Sequence, residues 1–223
     1  MSAVGATATP DPARRLVLQH RIRLVVAATI TYNVVEAIIA LVAGSVASSA
    51  ALIAFGLDSI VEVLSAVAVA WQFSAADPER RERTALRVIA VAFFALAAYV
   101  TVDAAFSLLG FREADPSPVG IALAAVSLMV MPGLSWFERR TGRELGSASA
   151  VADSKQTLIC SYLSAALLVG LVANGLLGWA WADSLAAIVI AGFAVREGRE
   201  AWRGESCTVP VAALTGEREV EES

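Results

Sequence analysis

Two acidic residues, Asp58 and Glu62, lie four positions apart within an otherwise apolar stretch of the sequence. In an α-helix this spacing puts both carboxylates on one face, one turn apart. Like charges this close repel each other unless a cation or a proton is held between them. The spacing therefore predicts a cation or proton site on this helix.

A second polar pair, Gln156 and Cys160, has the same spacing later in the chain, and Ser164 continues that face. Taken alone, Cys160 is typical of a small buried hydrophobic residue, and Gln156 is typical of an interhelical hydrogen bond. Whether this pair belongs to the acidic site depends on the helices that carry the two pairs.

Those helices must span a membrane. Of the 223 residues, 57% are apolar and 17% are charged, whereas soluble domains have about 45–50% and about 25%. The stretches 116–137 and 156–182 carry no charge, and about 20 apolar residues cross a bilayer. The runs are too long for barrel strands and lack their alternation. The composition indicates an all-α integral membrane protein and excludes a soluble enzyme, a nucleic-acid binder and a disulfide scaffold.

Six transmembrane helices are predicted, of which the sixth has the shortest charge-free part. They cover Leu24–Ala43, Ser49–Phe73, Ala85–Leu109, Pro118–Trp136, Ser149–Leu177 and Trp181–Arg196.

Positive charge predicts the orientation of these helices. Four Lys or Arg residues lie in or beside each of four segments, namely the N-terminal segment, the second and fourth loops and the C-terminal segment, whereas the opposite connections hold only Arg112. Since positively charged loops stay in the cytoplasm, we expect a multi-pass protein of the cell membrane with both termini cytoplasmic. The predicted parts are an N-terminal cytoplasmic segment (1–23) without a cleavable signal peptide, a six-helix transmembrane domain (24–203) and a disordered acidic cytoplasmic tail (204–223).

The two polar pairs are predicted to lie at the same depth in the membrane. Glu62 lies about three helical turns before Phe73, and Cys160 lies about three turns after Ser149, both counted from the predicted cytoplasmic ends of their helices. At about 1.5 Å per residue each is about 16 Å deep, near the midplane. Carboxylates, a thiolate and an amide oxygen suit a borderline divalent ion, Zn²⁺ above all, in tetrahedral coordination. The predicted metal ligands are Asp58, Glu62, Gln156 and Cys160.

Other polar residues lie inside the spans or at their ends. Asn33 and Glu36 share a face of the first helix, either on a proton or metal path or in a mutual hydrogen bond. Asp103, nearer the outer side, either lines an exit or is an interfacial polar group. Asp153 and Asp183 stand in the first turns of the fifth and sixth helices, where an acid meets the helix dipole favourably, which predicts a structural role. The candidates for the proton or translocation path are Asn33, Glu36, Asp103 and Ser164.

At these residues the sequence resembles the cation diffusion facilitator family of metal/proton antiporters. The resemblance is carried by Asn33 in "YNVVEA" with "AGSVASSAALIAFGLDSIVE", by "ADSKQTLICSYLSAALLVGL" and by "WADSLAAIVIAG". It extends from about Leu16 to Arg203, and the middle two helices are similar in pattern alone. Asp58 and Glu62 match the family's ligand positions in the second helix. Gln156 and Cys160 match positions where zinc-transporting members carry His or Asp, and then Asp.

The resemblance implies efflux of a divalent metal, zinc first, by proton-coupled alternating access at a midplane site. Cd²⁺, Co²⁺, Ni²⁺, Fe²⁺ and Mn²⁺ are the other candidate cargoes, because no histidine lies in a predicted span. We expect no permanently bound cofactor and no enzymatic activity. The cytoplasmic metal-binding domain of typical members is expected to be absent, so a homodimer would form through the membrane helices.

Two further functions are compatible with the same residues. One is a membrane metal sensor or buffer that binds without transport. The other is a proton-coupled exporter of small organic cations, which the scarcity of aromatic residues near the acids disfavours.

Overall fold

The computed structural model describes residues 12–73, 78–145 and 148–204, and within these ranges it consists of six helices and no strands. The helices are α1 (Pro12–Ala47), α2 (Ala50–Phe73), α3 (Pro78–Leu108), α4 (Pro118–Leu145), α5 (Ala148–Leu177) and α6 (Ala180–Arg203). The predicted all-α class with six helices is therefore confirmed.

Local sequence explains several helix ends. Proline opens α1, α3 and α4 at Pro12, Pro78 and Pro118. Its ring presets the helical φ, and its missing N–H falls where a helix has no acceptor for one. α6 is followed by Gly204, whose φ of 77° is the left-handed conformation that favours glycine after a helix.

The connection between α1 and α2 is a tight turn. Ser48 has a φ of 50°, and the hydroxyl of Ser49 accepts a hydrogen bond from the backbone N–H of Leu52 at 3.1 Å. This is the bond of an N-cap residue, which satisfies one of the free N–H groups at the start of a helix. The turn fixes where α2, the helix of the acidic pair, begins.

Four helices are longer than predicted. The main additions are 12–23 at the start and 44–47 at the end of α1, 78–84 at the start of α3, 137–145 at the end of α4 and 197–203 at the end of α6. The predicted start of the first helix at Leu24 is wrong, since the helix already begins at Pro12, while the cytoplasmic N-terminal segment at 1–23 stays a prediction. Charge ends an apolar span but not a helix, because Arg and Glu are good helix formers. Of the predicted tail, only Gly204 lies within the described residues.

Membrane-spanning stretches are present in α1 to α5, each long and apolar enough to cross a bilayer. α6 is not among them, because its charge-free part, Ser184–Val195, is well short of the about 20 apolar residues that a span needs. Large apolar side chains such as Val46, Met129 and Leu176 are 71–81% exposed on the surface of the bundle. Extended apolar surface of this kind is expected where lipid covers a protein. The chain is a multi-pass membrane protein.

α2 lies at the centre of the bundle. It packs against α1, α3, α5 and α6, while α4 packs against α1 and α5. The core around it contains many alanines, with larger residues such as Leu52, Leu167 and Ile190 between them. Small residues let helix backbones approach closely in membranes. The central position of α2 places Asp58 inside the protein and leaves Glu62 partly buried.

Close packing of α5 against α6 depends on Gly170. A Cβ at this position would lie 2.7 Å from the Cβ of Ala186 and 3.1 Å from the carbonyl oxygen of Ala182. At Gly192, which is also inside a helix, a Cβ would have no neighbour within 4 Å. Both glycines therefore lie in helices, but Gly170 is tightly packed against α6 whereas Gly192 has open space beside it.

This contrast predicts opposite effects of alanine at the two positions. We expect Gly170→Ala to lower the free energy of unfolding by about 1–3 kcal/mol, because α5 and α6 must move apart. The matched control, Gly192→Ala, should be neutral or stabilising by up to about 1 kcal/mol, since alanine is the better helix former. Thermal unfolding in detergent micelles, followed by circular dichroism, measures both. Equal melting temperatures would mean that the helices are not packed this closely.

Candidate metal site

Glu62, which is partly buried, is the centre of a polar cluster formed by three helices. Its Oε1 accepts a hydrogen bond from the Sγ–H of Cys160 on α5, and its Oε2 accepts one from Nδ2 of Asn33 on α1, at 2.6 Å. Cys160 is 6% exposed and Asn33 is 4% exposed. Glu62 and Cys160, which were predicted only to lie at the same depth, are thus in direct contact.

Asp58 lies one helical turn from Glu62 and is buried. It is close enough to two other acids, Glu197 and Glu36, for their charges to repel its own. The carboxyl groups of Glu62, Asp58 and Glu36 are also close enough to the Cys160 thiol to interact with it electrostatically. The bundle therefore brings several acidic groups around one point, where their mutual repulsion favours a bound proton or cation.

The predicted four-ligand set is only partly assembled. In the part of the chain that the structure describes, no group of three or more His, Cys, Asp and Glu side chains is arranged to hold a metal ion. The side chain of Gln156 lies outside the described residues, although its backbone is in α5. Coordination by Asp58, Glu62, Gln156 and Cys160 together thus stays a prediction.

Ser164 lies on the same helix as Cys160 and is fully buried. Its hydroxyl donates to the backbone carbonyl of Cys160 at 2.8 Å, the bond that Ser and Thr form to the preceding turn of their own helix. This contact places Ser164 beside the candidate site.

Glu36 belongs to a second buried polar network. Its carboxylate accepts hydrogen bonds from Ser127 of α4 and from Ser59 of α2, the latter at 2.9 Å. The hydroxyl of Tyr32 is 2.6 Å from that of Ser127. The interpretation that Asn33 and Glu36 bond each other is wrong, because Asn33 donates to Glu62 instead. Glu36 adjoins Asp58 through its neighbour Ser59.

Asp183 joins the start of α6 to the start of α2. It is fully buried, and it accepts hydrogen bonds from the Ser49 hydroxyl at 2.5 Å and from the backbone N–H of Ala51 at 3.2 Å. It stands in the first turn of α6, as predicted. Here an acid satisfies N–H groups that α2 cannot bond internally.

The other two predicted acids are Asp103 and Asp153. Asp103 forms an ion pair with Arg112, with 2.6 Å between Oδ1 and the guanidinium. Asp153 is in the second turn of α5 and not in its first, since α5 begins at Ala148; its side chain lies outside the described residues. The helix-start position predicted for Asp153 is therefore wrong.

Sequence reasoning missed three residues of these networks: Ser59, Ser127 and Glu197. One carboxylate oxygen of Glu197 is buried and has no hydrogen-bond partner among the described residues. The sequence did indicate that Glu197 faces the bundle, because it stands seven positions after the buried Ile190 and so shares its helix face. The predicted end of the sixth helix at Arg196 excluded it.

Comparisons with known proteins agree with this architecture. The family model described as the cation efflux transmembrane domain matches residues 26–203. The uncharacterized transporter sll1263 of Synechocystis sp. is 29% identical over 154 residues, which are 65% of this chain and 50% of that protein. The cation-efflux pump FieF of Shewanella oneidensis is 28% identical over 177 residues, which are 76% of this chain and 59% of that protein.

The chain spans 50–59% of the length of these two relatives. The family model, in contrast, covers most of the chain and all six helices in whole or in part. The protein therefore belongs to the cation diffusion facilitator family of cation efflux proteins.

Proposed function

We propose that the protein exports a divalent metal cation, zinc first, across the cell membrane in exchange for protons. The role is transport and not enzymatic catalysis. The observation that carries the proposal is the partly buried contact between Glu62 and Cys160, with Asp58 one turn away on the same helix. One of the relatives is named a cation-efflux pump.

The Glu62–Cys160 contact supports proton exchange at the metal site. In the observed arrangement the thiol hydrogen points at a carboxylate oxygen. A thiol must lose its proton to bind a metal, so a cation that enters between Sγ and Oε1 displaces this hydrogen. Protons that arrive from the outer side would reverse the exchange and release the cation.

Alternating access would carry the cation between the two sides. The site lies where α2 and α5 meet near the middle of the bundle, so a change in packing of these helices can open it to either side. A mixed sulfur and oxygen ligand set suits borderline cations. Zn²⁺ is the first candidate, and Cd²⁺, Co²⁺, Ni²⁺, Fe²⁺ and Mn²⁺ follow.

Metal flux into proteoliposomes with an imposed pH gradient tests the proposal. We expect uptake of at least one of these six cations by the wild-type protein, dependent on the gradient, and background uptake by Asp58→Ala. Glu144→Gln is the matched control, because Glu144 forms an exposed ion pair with Arg14 and such pairs contribute little.

The outcomes separate the alternatives. Metal binding without flux in folded wild-type protein would favour a sensor or buffer. Gradient-driven uptake of an organic cation instead of a metal, unchanged in Cys160→Ser, would favour an organic-cation exporter. Either result would contradict metal efflux.

A further inference from the structure

Asn33 brings an unpaired amide oxygen to the Glu62 cluster from α1. The residue is 4% exposed, and its Nδ2 donates to Oε2 of Glu62 at 2.6 Å. Its Oδ1 is buried and has no hydrogen-bond partner among the residues that the structure describes. A buried acceptor without a donor is unfavourable, so a partner for this oxygen is expected.

Glu62 determines which way the amide is turned. Both of its carboxylate oxygens are acceptors here, one for the Cys160 thiol and one for Asn33. Turning the amide over would set Oδ1 against a carboxylate oxygen, and neither atom can donate. Nδ2 therefore bonds Glu62, and Oδ1, attached to the same carbon, stays buried beside it without a donor among the described residues.

We propose that Oδ1 of Asn33 is a direct ligand of the transported cation, which is then held by α1, α2 and α5 together. The inference rests on the proposed function, because it adds a ligand to that site. The ligand set around the cation would include the amide oxygen of Asn33, the carboxylate of Glu62 and the sulfur of Cys160.

The amide changes the chemistry of the site in two ways. It adds a neutral oxygen, and oxygen donors widen the range of acceptable cations towards Mn²⁺ and Fe²⁺, with more than four ligands. An amide oxygen also carries no proton to exchange, in contrast to a carboxylate or a thiol. Asn33 would thus contribute affinity and geometry at every pH, while Glu62 and Cys160 carry the proton exchange.

A positioning role is the alternative, in which Asn33 acts solely as a hydrogen-bond donor that orients Glu62. Asn33→Asp distinguishes the two roles. It keeps an oxygen at the Oδ1 position but replaces the donor with a second acceptor facing Glu62. A ligand role tolerates this exchange, whereas a positioning role does not.

Binding of Co²⁺ to the full-length protein in detergent micelles provides the test. The visible absorption of bound Co²⁺ reports the number and type of its ligands, and a titration yields the Kd. The variants are Asn33→Ala and Asn33→Asp. Asn174→Ala is the matched control, because Asn174 is also buried in a helix but donates to the backbone carbonyl of Ala114 at 2.8 Å.

We expect Asn33→Ala to raise the Kd by about 10- to 100-fold and to change the absorption band. Asn33→Asp should bind at least as tightly as wild type near neutral pH, and Asn174→Ala should match wild type in both readouts. The same Kd and band for Asn33→Ala and wild type would overturn the inference, as would an Asn33→Asp protein as weak as Asn33→Ala. Wild-type protein that binds none of the six candidate cations would overturn the proposed function as well, so the two failures are distinguishable.

Discussion

Glu62→Gln is expected to abolish metal transport while the protein remains folded. Glu62 is the residue that α1 and α5 both contact, through Asn33 and Cys160. Glutamine has nearly the same shape, but it lacks the negative charge that balances a divalent cation and that accepts the thiol hydrogen. We expect metal affinity to fall by about 100-fold or more, since the change removes a charged ligand as well as the partner of two others. Metal titration in micelles and initial flux in proteoliposomes measure the loss.

Glu200→Gln serves as the control for this substitution. Glu200 forms a solvent-exposed ion pair with Arg196 one turn away on α6, so its loss should leave both flux and melting temperature close to wild type. A Glu62→Gln protein that transports metal at the wild-type rate would contradict the assignment of this cluster as the cation site. Loss of flux accompanied by unfolding would be resolved by the melting curve.

Asp183→Ala should cause a large loss of stability. The change leaves the Ser49 hydroxyl and the Ala51 N–H without their acceptor in a site from which solvent is excluded. Each unsatisfied buried donor costs about 1–3 kcal/mol, and this substitution leaves two of them. We therefore expect the free energy of unfolding to fall by about 2–6 kcal/mol. Denaturant or thermal unfolding in micelles measures it.

Two companion variants define the cause. Asp183→Asn keeps one carbonyl-type acceptor and should lose less stability than Asp183→Ala. Asp115→Ala removes an exposed acid from the connection between α3 and α4 and should change stability by less than about 0.5 kcal/mol. If Asp183→Ala unfolds at the same temperature as Asp115→Ala, then the bond between α6 and α2 does not hold the bundle together.

The helical architecture was predictable because lipid leaves few alternatives. A chain in hydrocarbon must satisfy its backbone hydrogen bonds internally, so long apolar runs become helices. The ends of those helices were harder to predict. Arg and Glu residues that end an apolar run continue the helix past it, as in the 137–145 stretch of α4. Glu197 was excluded from the predicted site for this reason.

Within a single helix, the sequence by itself determined which polar residues share a face. Asp58 and Glu62 lie one turn apart because the helical repeat is about 3.6 residues, and equal depth placed Cys160 level with Glu62. Only the tertiary structure decided which helix faces which. It pairs Asn33 with Glu62, Glu36 with Ser127 and Asp183 with Ser49.

These pairings join residues 29 to 134 positions apart. Spacing along one helix carries no information about the rotation of another helix packed against it. That rotation depends on how side chains interlock across the contact, as the small residues at Gly170 and Ala186 show. The sequence therefore determined the membrane class, the spans and the acidic pair, while the packing of six helices decided that Asn33, Glu62 and Cys160 meet.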